Sequence, residues 1–469
     1  MEKKLRILFI LIINFIVCAI GVFVFNPINI YADEIPIFDV TDSEFGAIPD
    51  DEGDDYNAIN NALKKAREYD EIIEVYVPEG EYIISDQLYI YPNTKLVLDE
   101  NAVVKSTLLT DMSAMVMGLS DDGESTYGGY TRLENIEISG GTWEREGAPN
   151  ILTGAFILQH GNNINIHDLT IKNCTDHIIN ISADKDVTIK NVTFENHIAY
   201  TGNSDEFWGS YSVGDIERYM FVEAVHTDNA GDGEKGALPL DNTPCENITV
   251  EDCTFNGVLS GVGTHHESEY KAKNVTVKNC EFTNIQYGEA VNAWAFDSLN
   301  VTGNTFTGSH SGVIAKESNG TISGNSFNMV GVTCNYGVIH LENSDFTVQD
   351  NIIENANKYS IMILNGKAIV SENTLNNSNS DGVRVDNATQ ITINNNTISN
   401  ITRYGMFLYN CNGNNDVNNN VISSASNGGS TGIFMEKSSN INVKENTVSG
   451  LFNNTICFQE SSGLLIIIY

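Results

Sequence analysis

VTGNTF at 301–306, ISGNSF at 322–327, VQDNII at 348–353, VSENTL at 370–375, INNNTI at 393–398, VNNNVI at 417–422 and VKENTV at 443–448 are one phrase written seven times. Each copy starts on a β-branched apolar residue, sets a polar residue or Gly third and Asn fourth, and returns to an apolar residue sixth. IKNCT at 171–175, VEDCTF at 250–255 and VKNCEF at 277–282 are the same phrase with Cys in place of Asn. The fourth position falls at Cys253, Cys280, Asn304, Asn325, Asn351, Asn373, Asn396, Asn420 and Asn446, so copies recur every 21 to 27 residues. A repeat of that length marks a solenoid.

The unit is too short for two helices and is rich in Val, Ile, Thr and Asn. A second apolar strand led by Gly follows each phrase, as in YGVIHLE at 336–342, DGVRVD at 381–386, YGMFLYN at 404–410 and TGIFMEK at 431–437. Two or three short strands per turn, with Gly or Asn at corners that need left-handed backbone, describe a coil of a parallel β-helix. Coils stack about 4.8 Å apart, so each Asn is expected to lie on the next, donating its amide to one neighbour and accepting from the other. The N-x-S/T triplets are read as ladder positions rather than glycan acceptors.

Lys3, Lys4 and Arg6 precede an apolar run from Ile7 to Phe25 and a small residue, Ala32. That is the pattern of a secretory signal peptide over 1–32, with retention as an N-terminal membrane anchor as the alternative. The remaining chain is expected to work outside the cell, secreted or held at its surface. Its net charge is −37 overall and −39 after removal of residues 1–32, which hold three basic and one acidic residue. Such a surface repels nucleic acid and anionic membranes and favours cations. Seven cysteines follow residue 32, an odd number. No Cys/His spacing is that of a metal site, and no cofactor is expected apart from calcium at Asp228 and Asp232. The chain is expected to be a monomer.

Residues 33–105 differ from the repeats. DDYNAINNALKKARE at 54–68 sets Ala58, Ile59, Ala62, Leu63 and Ala66 on one helical face, the natural cover for the open end of a solenoid. FGAIPDDEGDDYNAINNAL from Phe45, VYVPEGEYIISDQLYI from Val75 and KLVLDENAVV from Lys95 together resemble the opening segment of the pectate lyase superfamily of right-handed β-helices, in its rhamnogalacturonase- and epimerase-like branch. The resemblance covers about residues 38–450. It implies an all-β, single-stranded right-handed parallel β-helix, a pectin lyase-like solenoid, with a short N-terminal capping helix. The β-helix is expected over 106–457, with an apolar tail at 458–469 that is either the edge of a truncated coil or a cover for the open end.

Between Val192 and Cys253 the phrase is missing for more than two coils' worth of chain, and the excess is assigned to an insertion at 196–245. Long insertions on solenoids gather beside the binding face. VEAVHTD at 222–228, SGVGTHHESE at 260–269 and GEAVNAWAFD at 288–297 flank it. Aligning EAVH with EAVN turns Val225 and Val291 inward and His226, Asp228, Asn292 and Trp294 outward. Alternation lets one of His265 and His266 face the same groove, and His265 is preferred, giving a column of His226, His265 and Asn292.

Histidines beside carboxylates on an open sheet face suit acid–base chemistry on sugars. The catalytic candidates are therefore His226, Asp228, His265, His266 and Glu267. Asn292, Trp294, Arg218, Asp241, Lys316 and Arg384 are the candidates for holding substrate, with Trp294 able to stack on a pyranose. Lys316, His340, Arg384, Asp386, Phe407, Tyr409 and Glu436 are expected to continue the outer face downstream. HTDNAGDG at 226–233 resembles the Asn-Thr-Asp segment of family 28 glycoside hydrolases, but that family's other motifs are absent, as is the Arg and Lys pattern of pectate lyases. The reading is a secreted enzyme that cleaves or modifies an extended acidic polysaccharide of the pectin or rhamnogalacturonan kind, by hydrolysis or by lyase or epimerase chemistry. Its alternative is a non-catalytic carbohydrate-binding or adhesin β-helix at the cell surface.

Overall fold

The residue before each ladder Asn turns the chain. In the computed structural model φ is 68° at Gly303, 64° at Gly324, 56° at Asp350, 59° at Glu372, 57° at Asn395, 58° at Asn419 and 57° at Glu445. One left-handed residue redirects the backbone by a corner, which explains why the third position of the phrase takes Gly, Asn or Asp so often. The model describes residues 35–108, 113–118, 128–201, 222–231, 239–265, 269–309, 311–331, 336–424 and 430–467. The described residues between 37 and 467 form an all-β right-handed parallel solenoid of about 14 turns.

The Asn side chains form the expected ladder. Asn304 Nδ2 donates to Asn325 Oδ1 at 3.0 Å, Asn325 to Asn351 at 2.9 Å, Asn351 to Asn373 at 2.9 Å, and the chain of bonds continues through Asn396 and Asn420 to Asn446. Each Oδ1 also accepts from the backbone N–H of the preceding rung's Asn, as Asn351 Oδ1 does from Asn325 at 3.1 Å. A second ladder bond runs from Nδ2 to a backbone carbonyl, as from Asn351 to Ile322. These amides are buried, so each depends on its neighbour for partners that water does not supply. Cys253 and Cys280 take the same position as buried thiols, but Cys174 does not: the register places Leu169 and Val192 there, and Cys174 lies at the next corner. All three, with Cys245, Cys411 and Cys457, are free, and burial pushes Cys174 up to about 12.

A regular coil has three strands, for example Glu246–Glu251, Thr254–Asn256 and Ser260–Thr264. The third strands make a fourteen-stranded parallel sheet that runs from Leu88–Tyr89 to Asn454–Gln459. Inside, Phe194, Phe255, Phe282, Phe306 and Phe327 stack with centroids 4.4–4.9 Å apart and planes within 10° of parallel. Ile353, Leu375 and Ile398 continue the column through the next coils.

That column explains the Gly at the head of each third strand, and the explanation differs from the one expected. Gly261, Gly312 and Gly382 are not among the positive-φ residues. A Cβ on them would lie 3.0 Å from Phe282 Cε1, 2.6 Å from Phe327 Cε1 and 2.6 Å from Ile398 Cγ2, respectively. The next coil's backbone crowds them as well, Ala290 O lying 2.1 Å from a Cβ at Gly261, Val338 O 2.7 Å from one at Gly312 and Gly405 O 2.7 Å from one at Gly382, so they are small because core side chains and the neighbouring coil both approach. The corners are turned by Asn, Asp and a separate set of glycines.

The capping helix is Tyr56–Ala66, and Ala58, Ile59, Ala62, Leu63 and Ala66 are its buried face, packed on the first strands. The Asp55 carboxylate just before it accepts from Ile48 N at 2.9 Å and Ile83 N at 3.2 Å, tying the helix start to the first coil. At the other end Leu465–Ile467 pairs in parallel with Ser439–Lys444, so the tail forms part of a further coil and does not fold across the end. The span 196–245 is also not all insertion, because Glu223–Asp228 is a regular rung of the fourteen-stranded sheet. The stretches 1–34, 202–221 and 232–238, among them the segment expected to be a signal peptide, lie outside the described residues. Among the described residues no helix is long and apolar enough to cross a membrane.

Asn351→Ala strands polar groups on both neighbouring rungs and is expected to cost about 2–3 kcal/mol, read as a lowered urea midpoint, while Asn377→Ala on the exposed corner costs about 1 kcal/mol, through its left-handed φ of 62°. Gly312→Val drives a side chain into Phe327 and is expected to destabilise by about 3 kcal/mol in the same assay.

Candidate functional site on the fourteen-stranded sheet

Parallel register converts sequence alignment into columns of side chains. Val225 pairs with Ile179 and Val262, and Val262 with Val291, all turned into the core. The outward residues one step on form the column Asn180, His226, Gly263, Asn292, Ile314, His340, Met362, Arg384, Phe407 and Phe434. Two residues further on, Trp294, Lys316, Glu342, Leu364, Asp386, Tyr409 and Glu436 form a second. Lys316, His340, Arg384, Asp386, Phe407, Tyr409 and Glu436 therefore share one face, as alternation required.

The expected column of His226, His265 and Asn292 needs one correction. Gly263, not His265, is the register partner of both His226 and Asn292. A side chain at 263 is impossible, since its Cβ would run into the backbone of Asn292. His265 follows the strand Ser260–Thr264, and its imidazole stacks on His226 at 5.1 Å between centroids, planes 9° apart.

Two residues that the sequence reading did not single out complete the group. His177, just before the strand Ile179–Ser182, stacks on His226 at 3.9 Å and lies 5.8 Å from His265. Glu223 heads the strand Glu223–Asp228 and is fully buried. Its carboxylate meets His265 Nδ1 at 3.1 Å and His177 Nδ1 at 3.5 Å, and accepts from Asn292 Nδ2 at 3.1 Å. Burial alone would raise this carboxyl, but His265 and His177 hold it below the usual glutamate range. The legible signal was an acidic residue leading an otherwise apolar strand, VEAVH.

The same signal recurs in GEAVN. Glu289, almost fully buried, stands at the head of the next but one strand, and here burial dominates and pushes the carboxyl up to about 8. It opens on a pocket of about 210 Å³ lined by Asn292, Trp294, Ile314, Lys316, Tyr336, His340 and Glu342. Lys316 Nζ lies 4.0 Å above the Trp294 ring, and Tyr336 meets His340 edge-on at 5.3 Å. Burial takes His340 down to about 4, so the pocket wall is a neutral imidazole, an aromatic pair and the Lys316 ammonium with Glu342 4.0 Å from it.

Farther along, Arg384 lies 4.8 Å over Phe407, Phe407 stacks on Phe434 at 5.3 Å, and Phe434 stacks on Tyr404 at 5.0 Å. Arg403 covers Tyr404 at 4.4 Å. Arg384 is aimed by Asp386 at 2.9 Å and, with Arg403, faces the buried Asp381 carboxylate. The result is a continuous stripe of aromatic rings and guanidinium groups.

The remaining sequence candidates separate. His226, Asp228 and Asn292 point outward as expected yet are buried, not open to the groove. Asp228 Oδ1 accepts from Asn229 N at 2.8 Å, Oδ2 stands 3.8 Å from His226 Nε2, and its cleft of about 10 Å³ has room for about one water. Asp241 spends its carboxylate on Gly129 N at 2.7 Å and Thr243 N at 3.0 Å, which latches a loop. Arg218, Asp232, His266 and Glu267 lie outside the described residues, and with Asp232 half of the expected calcium pair.

Two family models match the chain: a right-handed β-helix region over 311–467 and a rhamnogalacturonase A/epimerase, pectate lyase-like model over 37–123. Each covers less than half of the chain, and both agree with the coil geometry on a right-handed parallel β-helix whose opening segment is similar to pectate lyase-like proteins. It is 25% identical over 291 residues to the plasmin and fibronectin-binding protein A of Streptococcus pneumoniae, covering 56% of this chain and 38% of that protein, so it spans well under half of that relative's length. Two solved structures of the Streptococcus pneumoniae surface adhesin PfbA share its fold. One has a TM-score of 0.52 at 21% identity over 91% of each chain, the other 0.51 at 19% identity over 90% of this chain and all of that one.

The split between the two buried acids has a measurable consequence. Glu289 holds its proton in the folded chain between the ordinary glutamate value of 4.5 and about 8, so stability declines as pH rises through that window. Glu223 acts oppositely, contributing above the ordinary value and losing that contribution as pH falls through its depressed one. Glu289→Gln is expected to flatten the decline in urea midpoint between pH 5 and pH 8, with the difference from wild type largest at the alkaline end.

Proposed function

We propose that this chain is a binding β-helix of the cell surface, adhesin in type, whose fourteen-stranded sheet takes an extended glycan. The observation that carries the reading is the stripe of Arg384, Phe434, Tyr404 and Arg403 stacked around the buried Phe407, with Trp294 and Lys316 farther up the same face. Aromatic faces suit the apolar face of a pyranose, and guanidinium groups beside them suit hydroxyl and carboxylate oxygens. The likeness to a surface adhesin and to a plasmin- and fibronectin-binding protein supports a binding role over an enzymatic one. On a glycan array, the chain is expected to retain acidic or neutral linear glycans, and Tyr404→Ala with Phe434→Ala to weaken that binding at least tenfold with the circular dichroism unchanged. Equal binding by the double variant, or retention of fibronectin or plasmin with no glycan bound, would replace the glycan with a protein ligand.

A second reading, cleavage of the bound glycan, is favoured by the two acids on one sheet edge. Glu289 is biased to its protonated form and Glu223 to its ionised form, the division of labour that glycoside chemistry uses. Mass spectrometry of the glycan after incubation separates the readings. Fragments with an added water or an unsaturated end that vanish in Glu289→Gln establish catalysis, and intact glycan throughout leaves binding alone.

A further inference from the structure

We propose that His177, Glu223, His226 and His265 form a transition-metal site of the zinc type that clamps three successive coils. One ligand atom from each lies within 4.8 Å of every other. A tetrahedral ion with bonds of about 2.1 Å needs donors about 3.4 Å apart, so the widest pair must close by about 1.4 Å, within the reach of imidazole rotation.

Three observations point to an ion. Glu223 sets a carboxylate with no solvent exposure against the His265 and His177 ring nitrogens at 3.1 and 3.5 Å, and buried carboxylates are paired or coordinate metals. The donors are three imidazoles and one carboxylate, a set that suits zinc, cobalt or nickel and not calcium, which takes oxygen ligands. The supporting bonds are also of the kind that hold metal ligands. Asn292 Nδ2 donates to Glu223 Oε1 at 3.1 Å, and His177 Nδ1 lies 3.3 Å from the Glu223 carbonyl oxygen, where a proton on Nδ1 leaves Nε2 free to bind metal.

The site's place in the solenoid gives it a purpose. His177 precedes one rung of the sheet, Glu223 and His226 belong to the next, and His265 follows the third. The coils here stack in register, but their ladder position is filled by Leu169, Val192, Cys253 and Cys280, so the Asn amides that fasten later coils are missing. Four protein donors make a closed site, which fastens the coils in place of the ladder.

The test is a titration of the full chain, first stripped with chelator, with Zn²⁺ by calorimetry and with Co²⁺ by visible absorption. One equivalent should bind with a micromolar or tighter Kd, give the intense absorption of tetrahedral cobalt, resist displacement by excess Ca²⁺, and weaken as pH falls below about 6.5, where imidazoles protonate. Zn²⁺ should also raise the thermal midpoint. His265→Ala is expected to lower affinity at least 100-fold and Asn292→Ala about tenfold, with folding of each checked by circular dichroism. Absence of stoichiometric binding, Zn²⁺ affinity unchanged in folded His265→Ala, or displacement by Ca²⁺ would each overturn the proposal.

Discussion

Everything in this molecule depends on the in-register stacking of one coil on the next. The buried Asn amides show the constraint most plainly, because no coil can satisfy its own corner: each Nδ2 and Oδ1 is completed by a neighbouring rung. A slip of one residue would expose core side chains and break the chain of amides at once. The Phe column and the small residues that face it impose the same register from the inside. Stability is thereby shared between neighbours, as in other repeat architectures.

The same stacking builds the functional face. Residues far apart in sequence, such as Asn292, Arg384 and Phe434, become members of one column because each occupies the same place in its coil. A column also concentrates charge, and the protein answers differently at two places. Glu223 is given imidazole partners and stays ionised, whereas Glu289 is left in a poorly solvated pocket beside a single ammonium and holds its proton. The polar part of the sheet, on the coils whose ladder position lacks Asn, and its aromatic part, farther along, are thus chemically distinct regions of one surface.

Most of the fold was legible in the sequence, because a period of 21 to 27 residues with Asn at a constant place admits few other structures. The capping face of Tyr56–Ala66 and the outward set from Lys316 to Glu436 followed from helical and strand periodicity. The role of Gly261, Gly312 and Gly382 did not, since their constraint comes from core side chains and the backbone of the next coil and not from their own backbone angles. His177 and Glu223 were missed for a related reason: only folding across the irregular stretch brings them to His226 and His265. Gly263 shifted the expected histidine column because a gap in a side-chain column can be filled by a neighbour from beyond the strand end. Chemistry is the least legible layer, since the same columns serve binding and catalysis alike.

The central claim, that a single sheet face holds the ligand, is tested most directly by hydrogen–deuterium exchange of the chain with and without a glycan that it retains. The account predicts protection confined to the third strands between Glu289 and Glu436, with the Asn ladder strands unchanged. Protection on the opposite faces of the solenoid, or none on this sheet at saturating glycan, would contradict it.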